Sequence, residues 1–118
     1  MSKQLNMQAR TALATANEVR VARAADKKLI ARGQLAPGTI LAVTPAHWKS
    51  ATITDLFLCV PRVGRTRAVR WCELEMVTPT RLLRELTERQ RLMFSRHLDV
   101  YAAQRNDVRR HLEEQLAA

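Results

Sequence analysis

Val60-Pro61-Arg62-Val63-Gly64-Arg65-Thr66-Arg67-Ala68 reads as a tight turn, ringed by arginines, that opens a helix. Pro61 fixes one backbone torsion, and Gly64 is free to take a positive φ at little cost. Peptide N–H groups that follow such a turn have no partner inside the helix and lie at its positive end. That combination describes an anion site. Arg62, Arg65, Arg67 and Arg70 surround it with fixed charge, and a nucleic-acid phosphate is the natural ligand. The plainer alternative is an ordinary helix–helix turn with solvated arginines.

The segments on either side of the turn read as helices. Before it, Thr52-Ile53-Thr54-Asp55 forms a capping-box variant, and Ile53, Leu56, Phe57 and Val60 follow at core spacing. After it, the pattern predicts a helix from about Arg65 to Met76. Ala68, Trp71, Cys72 and Met76 are available to face inward, and Arg67 and Arg70 to face out. Thr78-Pro79-Thr80 breaks the chain, and residues 80–86 form a short helix or an irregular turn. Thr87, with Gln90 three residues on, caps a last helix through Leu92, Met93, Phe94 and Leu98. No Pro or Gly stops it before Leu116.

Residues 3–32 predict one long helix, free of Pro and Gly, that stops at Gly33 with Lys27, Lys28 and Arg32 in its last turns. Few large apolar residues lie along it, so its N-terminal half is expected to stand off the body. Arg20, Arg23 and Lys27 share a face at helical spacing. They form either a second phosphate-contacting strip or a solvated face. Residues 34–50 are a looser connector. Pro37-Gly38 marks a turn, Thr39 caps a short helix through Ile40, Leu41 and Val43, and Pro45 ends it. Trp48 is expected as a core anchor, with stacking on a base as the alternative. No strand pattern is present, so the chain is predicted all-α. It divides into a long basic helix (1–33), a core (34–98) and a helical tail (99–118).

Composition points to the kind of partner. The 118 residues carry 20 basic against 11 acidic side chains, a net charge of +9. So strong a bias in one small domain argues for a polyanionic partner. Charge is concentrated between Val60 and Leu98, where nine arginines face Glu73, Glu75, Glu85 and Glu88 for a net +5. From Asp99 onward the net is −1, with Arg105, Arg109 and Arg110 against Asp99, Asp107, Glu113 and Glu114. The tail therefore reads as a solvated helix or a self-association surface, with Val100, Gln104, Val108 and Leu112 as a thin stripe.

Other classes find no support. There is no run of about 18 apolar residues and no bulky apolar helix with a lysine face, so no membrane partner is expected. The N-terminal MSKQLNMQAR is polar, with no signal-like apolar region. Cys59 and Cys72 flank the turn and read as small buried thiols; a disulfide fits poorly with a cytoplasmic protein. His47, His97 and His111 have no ligand spacing, so no metal is expected. Neither a paired acid and base nor a Gly-rich nucleotide loop is present. The chain is therefore expected to be no enzyme, with no cofactor and no small-molecule substrate.

The order of these elements resembles the actinobacterial integration host factor family. The matching motifs are Val60-Pro61-Arg62-Val63-Gly64-Arg65, Pro79-Thr80-Arg81, Arg84 and Arg89-Gln90-Arg91, and they cover residues 52–98. The long alanine-rich basic helix also fits. The resemblance implies a compact helix-two-turn-helix core and a nucleoid-associated protein. Such a protein binds duplex DNA with little sequence preference, can bend it, and supports phage integration and chromosome compaction. It implies a phosphate grip at Arg62, Val63, Gly64, Arg65 and Arg67, and a second basic cluster at Arg81 and Arg84. Leu82 stands where the family usually has an arginine, and Glu85 and Thr87 where it has glycines. The resemblance is thus to a divergent member, of the kind a phage carries.

The expected function is non-catalytic duplex DNA binding in the cytoplasm, at the nucleoid. Structured-RNA binding is one alternative, because phosphate-gripping turns do not themselves distinguish the two nucleic acids. The other is a protein-interaction module in which the first helix or the tail pairs with a partner or another copy.

Overall fold

The computed structural model describes the backbone of residues 2–117 and the side chains of residues 6–117. Among the described residues, five α-helices follow one another: α1 (Ser2–Ala31), α2 (Pro37–Val43), α3 (Ile53–Phe57), α4 (Arg65–Leu74) and α5 (Glu88–Ala117). Short 3-10 turns lie at Ala46–Trp48 and Leu83–Glu85. The described residues form no strand; one isolated bridge joins Thr52 and Leu82. The fold is all-α, with a long helix at each end.

Local chemistry sets most of the boundaries. Gly33 ends α1 at φ 73, its N–H bonding to Ile30 and the N–H of Gln34 to Leu29. That pair of bonds is a Schellman stop, which needs a left-handed residue at the glycine's place. The box at α3 is reciprocal: Asp55 N–H donates to Thr52 Oγ1 at 3.1 Å, and Thr52 N–H to Asp55 Oδ2 at 3.0 Å. Thr87 and Gln90 make the same exchange at the start of α5. The start of α2 differs from the sequence reading. Ala36 is its extended N-cap and Pro37 its first residue, because proline's fixed φ suits the first helical position. Thr39 therefore lies inside the first turn.

α4 stops at Leu74, two residues short of the expected end. Val77 N–H bonds to Cys72 and Met76 N–H to Glu73, a second Schellman stop with Met76 in the glycine's place at φ 53. The reversal turns the Met76 side chain out of the core it was expected to join, and it is 93% exposed. Since left-handed backbone costs a side-chain-bearing residue about 1–2 kcal/mol, Met76→Gly should stabilise the protein by about 1 kcal/mol after the entropic cost of glycine. A urea titration with unchanged slope checks this.

The buried residues run from Ile30 to Tyr101 and form one cluster. Trp48, Phe57, Phe94, Leu41, Ile53, Leu56 and Leu83 are fully enclosed at its centre. An edge-on aromatic chain ties three helices together: Phe57 of α3 meets Trp71 of α4 at 5.0 Å and Phe94 of α5 at 5.3 Å. Such pairs add to simple burial. Outside this cluster the long helices project. The molecule measures 73 × 34 × 23 Å with a radius of gyration of 17.9 Å, against about 13 Å for a compact chain of this length. Side chains 6–18 of α1 and 102–117 of α5 are all exposed.

Candidate nucleic-acid interface

The turn after α3 is closed by a hydrogen bond from Val63 N–H to the Val60 carbonyl, at 3.1 Å. Pro61 takes its second position and Arg62 its third, at φ 64. This is a type II turn, whose third position requires the positive φ that glycine usually supplies. The left-handed residue is thus Arg62, where Gly64 was expected. Gly64 is extended (φ −90, ψ 177) and serves as the N-cap of α4.

The same bond corrects the role of Val63. Its N–H is occupied by the turn and its side chain is 5% exposed in the core, so it offers nothing to a ligand. The available donors lie one step further on. The first bond within α4 runs from Ala68 N–H to Gly64 O. The N–H groups of Gly64, Arg65, Thr66 and Arg67 have no acceptor among the described residues. No side chain caps this end, and a Cβ added at Gly64 would meet nothing within 4 Å. The helix N-terminus is open to an anion from outside.

Arg62, Arg65 and Arg67 adjoin it in the chain and Arg70 lies further along α4; all four are exposed. The Arg67 guanidinium lies 4.7 Å from the centre of the Tyr101 ring. Tyr101 in turn donates its hydroxyl to the Pro61 carbonyl at 2.8 Å. Arg105 Nη1 reaches the same carbonyl at 3.1 Å. α5 therefore fixes the turn from behind and adds Arg105 to the cluster. Grouping Arg105 with the acidic tail by net charge missed this. The available signal was its position four residues after the tail's sole tyrosine, on one helical face.

The second basic group lies at the other end of α3. Ile53 N–H bonds to the Arg81 carbonyl at 2.9 Å, and the Thr54 hydroxyl donates to the Pro79 carbonyl at 2.6 Å. Arg84 is exposed; Arg81 is half-exposed and pairs with Glu85 at 3.6 Å. Arg20, Arg23 and Lys27 share a face and line a shallow groove of about 420 Å³ with Ser50. Arg20 and Lys27 are exposed, but Arg23 is engaged inside the fold. It donates through Nε to the His47 carbonyl at 2.9 Å and through Nη2 to Ser50 Oγ at 2.8 Å, beside the Trp48 ring. Arg23 thus holds α1 on the core and leaves the strip with two free cations.

Asp26 completes that joint. It accepts from Trp48 Nε1 at 2.8 Å and from His47 Nε2. This answers the expectation for Trp48: it is a fully buried anchor, and its indole N–H bonds to a carboxylate. Burial pushes the Asp26 carboxyl pKa up, but the hydrogen bonds from His47 and Trp48 and the charge of His47 outweigh it, leaving a value below the usual one. A lowered folded pKa stabilises above the unfolded aspartate's value of about 3.9. The contribution fades as pH falls through the folded value. Asp26→Asn should flatten that part of the acid unfolding curve, which a comparison of urea midpoints between pH 5 and pH 3 would detect.

The cysteines are free thiols. Burial, with help from Glu73, pushes Cys72 up to about 11. Burial also raises Cys59, whose Sγ donates to the Asp55 carbonyl. Both are protonated and poorly nucleophilic near neutral pH. No described helix is long and apolar enough to cross a membrane. No family model matches the chain, and no curated protein or solved structure matches it either.

Proposed function

We propose that this chain is a non-catalytic protein that binds duplex DNA with little sequence preference, serving as an architectural or recombination-accessory protein of the nucleoid. The open N-terminus of α4 carries the reading. Four unpaired peptide N–H groups run from Gly64 to Arg67, in a stretch that carries the exposed Arg62, Arg65, Arg67 and Arg70, and Arg105 reaches the Pro61 carbonyl of the same turn. One phosphate accepts from the peptide donors, and the arginines neutralise its neighbours. Contacts of this kind fix position and read no bases. The net charge of +9 draws the polyanion in. The resemblance of the Val60–Arg65 and Pro79–Arg84 motifs to the actinobacterial integration host factor family supports the same reading. Arg81 and Arg84 supply a second basic group, weakened where Glu85 pairs with Arg81, and Arg20 and Lys27 on α1 a third.

Gly64→Asp tests it. The glycine's backbone is extended and its surroundings are open, so an aspartate fits without strain. Its carboxylate would accept the free N–H groups, raising stability by roughly 0.5 kcal/mol. The same carboxylate would occupy the phosphate's place. The expected outcome is a more stable protein that binds duplex DNA at least about tenfold more weakly, the loss of about 1.4 kcal/mol. Unchanged affinity would place the grip elsewhere.

A further inference from the structure

Between α4 and α5 lies an open pocket of about 320 Å³. Arg67 from the first turn of α4 lines it, with Arg96, His97 and Gln104 from α5 and Val100 and Tyr101 among its walls. No acidic side chain lines it. Among the described residues, the only carboxylate bonded to a lining residue is that of Glu75, which His97 Nε2 meets at 3.0 Å. Arg67 joins this pocket to the open helix end, since its peptide N–H is one of the four free donors and its side chain lines the pocket. Its guanidinium lies over the Tyr101 ring, 4.7 Å from the centre, and that ring is anchored on the Pro61 carbonyl. Stacking uses the face of a guanidinium and leaves the N–H donors of its edge available.

Other exposed arginines of this chain find carboxylates: Arg81 pairs with Glu85, Arg109 with Glu113 and Arg110 with Asp107. Arg96 is exposed and meets only the Met93 sulfur, at 4.0 Å, a weak acceptor. Two guanidiniums on one pocket without a carboxylate between them leave a local excess of positive charge that an anion relieves. We propose that the pocket holds a backbone phosphate of the bound duplex, a neighbour of the one at the α4 N-terminus, clamped between Arg67 and Arg96 with Gln104 Nε2 donating to it. The inference rests on the duplex-binding reading above and extends the contact from the turn onto α5. The phosphate is the one Arg67 neutralises, so Arg96 strengthens the grip without adding a further phosphate to it. Gln104, whose place in a thin apolar stripe had no purpose of its own, becomes a neutral donor in the contact.

Single variants titrated against a labelled random-sequence duplex at fixed salt test this. Arg96→Glu is expected to weaken binding about tenfold. Arg110→Glu makes the same change of charge about 21 Å further along the helix, more than two Debye lengths away, and should cost less than about twofold. Gln104→Leu alters no charge and should still cost about threefold, which a diffuse field does not produce. Arg96 and Gln104 are exposed and hold no partner in the core, so unchanged thermal midpoints are expected for both. Gly64→Asp, measured alongside, reports on the turn alone. Weakened binding in Gly64→Asp with full affinity in Arg96→Glu and Gln104→Leu overturns the clamp and leaves the duplex reading standing, as does an equal loss in Arg96→Glu and Arg110→Glu. A wild type that does not bind duplex DNA overturns both. Inorganic phosphate replacing chloride at equal ionic strength should leave affinity unchanged. A phosphate-specific loss that Arg96→Glu abolishes would assign the pocket to a free anion and overturn the clamp on the backbone.

Discussion

Arg91→Met is expected to destabilise the protein by about 3 kcal/mol, lowering the thermal midpoint by roughly 12 °C for a chain of this size. Arg91 sits in the first turn of α5 and is half-buried. Its guanidinium donates to the carbonyls of Leu41 and Leu83, each at 2.6 Å, to that of Leu86 at 3.3 Å, and to Thr44 Oγ1. Leu41 belongs to α2, and Leu83 and Leu86 to the 3-10 turn and its cap. One side chain therefore satisfies acceptors from two elements that end against α5. Methionine keeps the apolar stem and removes every charged donor. The Leu86 carbonyl loses its guanidinium contact, and the Leu83 and Leu41 carbonyls keep only the longer bonds from Leu86 N–H at 3.3 Å and the Thr44 hydroxyl at 3.4 Å. Arg91→Lys should recover only part of the loss, because an ammonium cannot span the fork that the guanidinium covers. Arg89, two residues earlier and exposed, is the control: its replacement by alanine should change the midpoint little.

The largest functional effect is expected from Arg65→Glu combined with Arg67→Glu. Two cations beside the open helix end become two anions, which would repel a phosphate bound at its peptide N–H groups. Affinity for duplex DNA should fall on the order of 100-fold at moderate salt, and the magnitude of the salt slope should drop by about 2. Stability should suffer little. Arg65 is solvated, and Arg67 loses only its contact with Tyr101, worth about 0.5–1 kcal/mol at an exposed site. Arg84→Ala on the second surface should cost far less. Fluorescence anisotropy on a labelled duplex measures all three.

What the sequence revealed was mostly local. The Thr52 and Thr87 boxes and the Gly33 stop involve partners within five residues, so spacing alone identifies them. The arginine-ringed turn was legible for the same reason, although the place of its positive φ was not. Pro61 fixes the second position of a type II turn and so passes the left-handed conformation to Arg62, while Gly64 is already committed to capping α4. Met76 shows the limit from the other side: its apolar side chain suggested burial, and a helix stop two residues away turned it outward. Arg91 and Asp26 could not be placed from spacing, and the spacing of Arg105 from Tyr101 gives its helical face without the Pro61 carbonyl it meets. Their partners lie up to 50 residues away, and only the assembled core brings the ends of α2, the Trp48 turn and the Pro61 turn against them. The turn and the open start of α4 were visible as a motif, then, while the side chains that brace them were not.

An open helix end and its arginines are proposed to grip duplex DNA through phosphates. The most direct test is a salt titration of wild-type binding to a random-sequence duplex, with matched duplex RNA as competitor. Five arginines each neutralising one phosphate should give a plot of log affinity against log salt concentration with a slope of about −4.5. The family resemblance, and not the grip itself, implies a preference for duplex DNA, so RNA should displace the DNA poorly. A nearly flat salt dependence, or displacement by RNA as efficient as by DNA itself, would contradict it.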